Sequence, residues 1–190
     1  MRGLLIIFLS VLFLFPSLGL SLEGKVIEVF DGDTILVLID GQEVKVRLYC
    51  IDAPELLQPY GRTAKDFLSR LLLEKNVKVK ERGTDQYGRV LGEVFLDGEI
   101  SVNEELVKSG MAWVYRKYCK IPSYFTLEKT ARENRVGLWE DESPIPPWEY
   151  RKKERERGIE LGNTYFLLVL LLLVLFLSLS WRRKGRRRKN

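Results

Sequence analysis

Three short segments of the chain gather carboxylates and guanidinium groups. They are Asp31-Gly32-Asp33-Thr34, then Arg47-Leu48-Tyr49-Cys50-Ile51-Asp52-Ala53-Pro54-Glu55, and then Asp85-Gln86-Tyr87-Gly88-Arg89. Each has an ordinary use. Asp-Gly-Asp is commonly a turn, Asp-x-Pro-Glu caps a loop or helix, and an arginine before an apolar strand is usually a surface charge. Together they make a chemical kit. Asp33, Asp52 and Glu55 offer three carboxylates to one hard cation, and Arg47 and Arg89 remain to hold an anion beside it. Phosphoryl chemistry asks for a metal polarising one oxygen, guanidinium forks on the others, and a carboxylate for the water.

Composition removes the rival kits. The 190 residues include no histidine, which excludes Ser-His-Asp and Cys-His catalysis, an imidazole base and an HExxH zinc site. Two cysteines are too few for a structural zinc site, and no histidine exists to activate either as a nucleophile. Any metal is therefore a hard cation held by oxygen.

The elements that position these groups are legible from periodicity. Residues 25–30, 34–39 and 44–49 are rich in β-branched side chains with partial alternation, and Asp40-Gly41 is a hairpin turn dipeptide between the second and third. Residues 77–81 and 90–96 supply two more strands, the last closed by Asp97-Gly98. Helical spacing covers residues 63–73. Ser101 and Glu104 form a capping box for a helix over 102–109, stopped by Gly110, and a last amphipathic helix runs over 123–136 with Gly137 at its C-terminal cap. Five short strands with three helices predict an α+β fold, a five-stranded OB-like β-barrel over residues 22–140.

Both ends of the chain are hydrophobic. Arg2 precedes an apolar run over 4–15, followed by Pro16, Ser17 and Gly19, the pattern of a signal peptide over 1–21; an uncleaved anchor is the alternative. Residues 141–163 read as a Pro-containing, charged stalk, with residues 151–157 solvated and partly helical or, alternatively, a basic patch. Residues 164–181 are long enough to form a transmembrane helix flanked by Tyr165 and Trp181, and a basic tail occupies 182–190. That tail carries seven cations, so the positive-inside rule places it in the cytoplasm and the globular domain outside a single-pass cell-membrane anchor. The formal net charge of +5 dissolves on inspection: all 26 acids but only 23 of the 31 bases lie in residues 21–164, which carry −3. Basicity here reports topology, not substrate.

The motifs VFDGDTI (29–35), VRLYCIDAPE (46–55), Asp85–Arg89 and Ala112-Trp113-Val114-Tyr115, in this order and spacing, resemble the staphylococcal nuclease (thermonuclease) family. The ending Gly137-Leu138-Trp139 and Pro146-Pro147-Trp148-Glu149 is similar to that of bacterial and archaeal members. The resemblance implies an OB barrel and a Ca²⁺-dependent nuclease acting on DNA or RNA. It implies Ca²⁺ ligands at Asp33, Asp52 and the backbone carbonyl of Ala53, where the family often has Thr. Glu55 matches the general base or water-orienter, and Arg47 and Arg89 match the phosphate-binding arginines. Asp31 stands behind the ligands, and Tyr87, Trp113 and Tyr115 fall where aromatics contact the nucleotide. Gln86 replaces a lysine that can occur there. The rival expectation is a nuclease-like barrel that binds nucleic acid or protein without catalysis; loss of the acids and arginines would mark it, and all five are present. Cys50 and Cys119 are either one disulfide, favoured outside the cell, or two thiols.

Overall fold

Five strands with alternating valine and isoleucine residues curl into a closed barrel. The computed structural model describes residues 21–187, with side chains up to Leu173. Strand β1 (Ser21–Val29) pairs antiparallel with β2 (Thr34–Ile39), and β2 pairs with β3 (Gln42–Leu48). The Asp40-Gly41 turn has positive φ at both residues, as a tight hairpin of matching twist requires. Beyond the short β4 (Ile51–Asp52), β5 (Asn76–Thr84) returns along β1 and pairs with β6 (Val90–Leu96). Parallel pairing of Val46 with Val90 and Leu48 with Gly92 then joins β3 to β6 and closes the ring. The barrel order is β1-β2-β3-β6-β5, the five expected strands.

Val26, Ile35, Val37, Val46, Leu48, Val79 and Val94 fill the interior. Helix α1 (Gly61–Leu72) packs on it through Ala64, Leu68 and Leu72. After the two-residue β7 (Ile100–Ser101), Ser101 caps α2 (Val102–Lys108) as expected, its Oγ accepting the Glu104 N–H at 3.3 Å. Strand β8 (Trp113–Val114) pairs with β4. Helix α3 (Pro122–Glu133) stops short of the expected 136, because Arg135 turns left-handed at φ 53°. Gly137 is not the cap of that helix. It opens a 3-10 turn, Gly137–Glu140, pressed backbone to backbone against Gly110. A Cβ on Gly110 would lie 2.0 Å from the Val136 carbonyl oxygen, and Gly110 already has φ +62°.

Cys50 and Cys119 form a disulfide, tying the chain after β3 to the segment before α3 across 69 residues. Helix α4 (Pro147–Arg187) begins at Pro147, whose fixed φ and missing N–H suit a first helical position. The predicted stalk is thus largely helix. The leader expected over 1–21 lies outside the described residues except for Ser21, which opens β1. Side chains of the expected span beyond Leu173, and those of the basic tail, lie outside them too. Among the described residues no helix is long and apolar enough to cross a membrane.

Two measurements check these tethers. Gly110→Ala lowers stability in urea denaturation by at least about 2 kcal/mol, since backbone must shift and a left-handed residue gains a Cβ. Cys50→Ser with Cys119→Ser lowers it by about 2–5 kcal/mol, and reductant reproduces the loss in the parent but not in the double variant.

Candidate active site

Asp33 and Asp52 come from opposite sides of a strand and meet on one arginine. The Asp31 carboxylate accepts the Asp33 N–H at 3.0 Å, which fixes the turn between β1 and β2. Gly32 makes the turn possible by close approach: a Cβ there would lie 2.7 Å from the Ala53 Cβ and 2.8 Å from the Ala64 Cβ. So the Asp-Gly-Asp stretch is a seat for α1 and the Ala53 loop rather than a surface turn. Asp33, only 5% exposed, accepts the Ala53 N–H on Oδ2 at 2.7 Å and the Thr34 hydroxyl on Oδ1 at 3.1 Å. Asp52, 1% exposed, is held in β4 by the pairing of that strand with β8.

Arg47 lies in β3 directly across from Thr34. Its guanidinium pairs with Asp33 on one side and, at 2.7 Å, with Asp52 Oδ1 on the other. Burial pushes the Asp33 carboxyl up to about 8, with Asp31 and Asp52 adding to it and Arg47 opposing it. Burial also works against the charge of Arg47, but Asp33, Asp52 and Asp31 outweigh it and hold Arg47 above the ordinary guanidinium range. Both acids thus already lie against one desolvated cation.

Glu55 leaves β4 in a loop closed by Gln58, whose side-chain oxygen accepts the Glu55 N–H at 3.2 Å. The Glu55 carboxylate is half exposed. Arg89 follows a turn built on Asp85, which accepts the backbone N–H of Tyr87 and of Arg89 on Oδ1 and the Arg89 Nε–H on Oδ2 at 2.7 Å. Burial raises the Asp85 carboxyl, but the Arg89 and Tyr87 donors outweigh it and hold it below the usual carboxylate value. Among the described residues the terminal nitrogens of Arg89 have no hydrogen-bond partner. They border the same cleft, about 730 Å³, as Asp33, Arg47, Asp52 and Glu55.

The expected aromatics divide. Tyr87 stands on the rim, 73% exposed, beneath the Arg89 guanidinium at 5.5 Å. Tyr115 lines the cleft, but one face of its ring is stacked on Trp148 at 5.6 Å. Trp113 is not brought to the cleft. It is buried, edge-on to Trp139 at 4.4 Å and Trp148 at 5.7 Å, with the Arg132 guanidinium over it at 4.6 Å. Its ring is instead taken up by packing against Trp139, Trp148 and Arg132 behind the site.

Residues 45–141 match the sequence model of the family described as "Staphylococcal nuclease homologue". The chain belongs to the staphylococcal nuclease family. A protein named "Uncharacterized endonuclease" from Escherichia coli is 42% identical over 146 residues, which cover 76% of this chain and 95% of that protein. One named "Micrococcal nuclease" from Shigella flexneri is 39% identical over 143 residues, 70% of this chain and 82% of that protein. One named "Protein ParB" from Escherichia coli is 40% identical over 162 residues, with 80% and 92% covered. The family membership makes the chain a hydrolase of the nuclease class.

Sequence reasoning missed one member of this cluster. Arg151, assigned to the stalk, reaches Asp52 Oδ2 at 2.8 Å, Asp52 Oδ1 at 3.2 Å and Glu55 Oε1 at 2.6 Å. Burial opposes its charge, while its bonds to Asp52 and Glu55 hold it above the ordinary guanidinium range. The available signal was Pro147 as a helix start, with Trp148 and Arg151 three apart on one face. Among the described residues no group of three acidic or cysteine side chains forms a metal cage. The donor set still fits a hard cation. Two buried carboxylates already gathered on a cationic group, beside main-chain carbonyls and an open cleft for water, are the all-oxygen environment such an ion takes.

Asp85→Ala isolates the turn that aims Arg89. At pH 7 the variant is less stable to urea by about 1–3 kcal/mol, from the loss of charge-assisted bonds. Because the folded-state value of Asp85 lies below its ordinary 3.8, this contribution is full above that pH and fades as pH falls below it. A gap between variant and parent that is as wide at pH 3 as at pH 7 would count against the assignment.

Proposed function

We propose that the chain is a Ca²⁺-dependent nuclease that hydrolyses phosphodiester bonds of DNA, RNA or both. The observation that carries this reading is the convergence of Asp33, Asp52, Glu55, Arg47 and Arg89 on one cleft. Asp33, Asp52 and the Ala53 carbonyl are the ligands for Ca²⁺. Bound there, the ion supplies positive charge against the phosphate oxygens and polarises the ester.

The remaining work falls to side chains. Glu55, half exposed beside Asp52, has the position to take a proton from water as the water oxygen bonds to phosphorus and the bond to the leaving oxygen breaks. The leaving oxygen takes up a proton from solvent. Arg89 offers two unengaged terminal nitrogens as a fork for the non-bridging oxygens, where negative charge accumulates. Arg47 is committed to Asp33 and Asp52, so its part is to hold those carboxylates at the edge of the phosphate site and to add fixed charge there. Tyr87, with an exposed ring, is the platform for a base or sugar. A domain of net charge −3 binds polyanions through this local field.

The location proposed is the outer face of the cell membrane, with the chain anchored by its C-terminal apolar segment and the basic tail in the cytoplasm. The hydropathy of residues 4–15 and 165–181 and the seven terminal cations support it, and a disulfide suits an oxidising compartment.

Glu55→Ala and Arg89→Ala each lower kcat/KM on single-stranded DNA or RNA by roughly 10²–10⁴-fold in Ca²⁺ with unchanged circular dichroism, and chelation abolishes cleavage in the parent. Binding without cleavage in the parent under every condition would favour the non-catalytic barrel instead.

A further inference from the structure

Arg151 lies beyond the residues 45–141 that match the family, yet it occupies the centre of the site. Both oxygens of Asp52 are engaged by guanidinium groups: Oδ1 accepts from Arg47 and Arg151, and Oδ2 from Arg151. The same Arg151 nitrogen that reaches Asp52 Oδ1 also binds Glu55 Oε1 at 2.6 Å. A divalent cation on Asp52 needs an oxygen lone pair that faces it, and it repels a guanidinium at contact distance. Arg151 and such a cation exclude one another on Asp52.

The attachment of Arg151 allows exchange. Its segment is anchored by other residues: the Gln58 side-chain amide donates to the Ile145 carbonyl, and Trp148 stacks on Tyr115. The Arg151 side chain is itself 38% exposed, so it can change rotamer toward solvent without moving either anchor. Arg47, by contrast, is only 13% exposed and is paired on both sides, with Asp33 and Asp52.

We propose that Arg151 is the internal counter-ion of the nuclease site, holding Asp52 and Glu55 until a divalent cation displaces it from Asp52, and that it thereby sets the affinity for that cation. This rests on the reading of Asp33 and Asp52 as cation ligands. Arg151 is a positioning residue: it keeps buried Asp52 neutralised and Glu55 oriented when the cation is absent, at the expense of weaker cation binding.

The test is calorimetric titration of Ca²⁺ into the purified full-length chain, without nucleic acid. R151Q removes the competing charge and binds Ca²⁺ about tenfold tighter than the parent or better. R151K keeps a cation but lacks the planar fork, so it falls between the two and supplies the ranking if R151Q does not fold. D52N binds no Ca²⁺. Equal or weaker binding by R151Q, or by R151K should it stand alone, overturns the displacement while leaving the ligand reading intact. If neither the parent nor R151Q binds Ca²⁺, the ligand reading itself falls, and the inference with it.

Discussion

The structure depends on one largely buried guanidinium. Arg47 sits between Asp33 and Asp52, and each of the three comes from a different element: β3, the turn between β1 and β2, and β4. Taking such charges out of water costs several kcal/mol per ion, repaid only where every oxygen and nitrogen is well placed. Placement here is a matter of backbone register. Thr34 opposite Arg47 puts Asp33 beside the guanidinium, and Leu91 beside Arg47 on the other strand closes the barrel at the same level. A slip of one residue would send Arg47 to the opposite face, taking its cation away from buried Asp33 and leaving Asp52 with Arg151. The ring of strands and the chemistry of the cleft are therefore specified by the same pairing.

A second layer fixes the loop that carries Asp52 and Glu55. The Cys50–Cys119 disulfide holds its start, and the β4–β8 pair its middle. Gln58 bonds both the Glu55 N–H and the Ile145 carbonyl, so the end of the loop is tied to the segment entering α4. Behind it, Trp113, Trp139 and Trp148 interlock around Arg132, whose guanidinium lies 3.7 Å from the Trp139 ring centre. Aromatic packing of this kind combines large apolar burial with defined ring geometry. The result is a closely tied wall on one side of the cleft, while Tyr87 and Arg89 line it from the β5–β6 turn, which Asp85 braces.

Charge in the cleft is arranged as a chain of alternating sign: Asp33, Arg47, Asp52, Arg151, Glu55. The acids are compensated before any ligand arrives, which is how a domain with a net negative charge can keep three carboxylates close together. Arg89, whose terminal nitrogens have no hydrogen-bond partner among the described residues, gives the same cleft a cationic end.

Much of this was legible from the chain alone. β-Branched alternation and the Asp-Gly dipeptides marked the five strands, because side-chain period and turn geometry are local properties. The absence of histidine confined the chemistry to carboxylates and arginines, and the motif order pointed to Asp33, Arg47, Asp52, Glu55 and Arg89, all of which line one cleft. What the tertiary structure decided was direction and long-range contact. Trp113 turned inward because Trp139, Trp148 and Arg132, all distant in sequence, pack around its ring. Gly137 met Gly110 rather than capping α3, since backbone contact between distant segments leaves no local trace. Arg151 resembled its neighbours in a run of charges, and only the docking of Trp148, 33 residues after Tyr115, carried it to Asp52 and Glu55. Residue types determined which chemistry the protein holds; the folding of distant segments onto one another decided which of those residues meet.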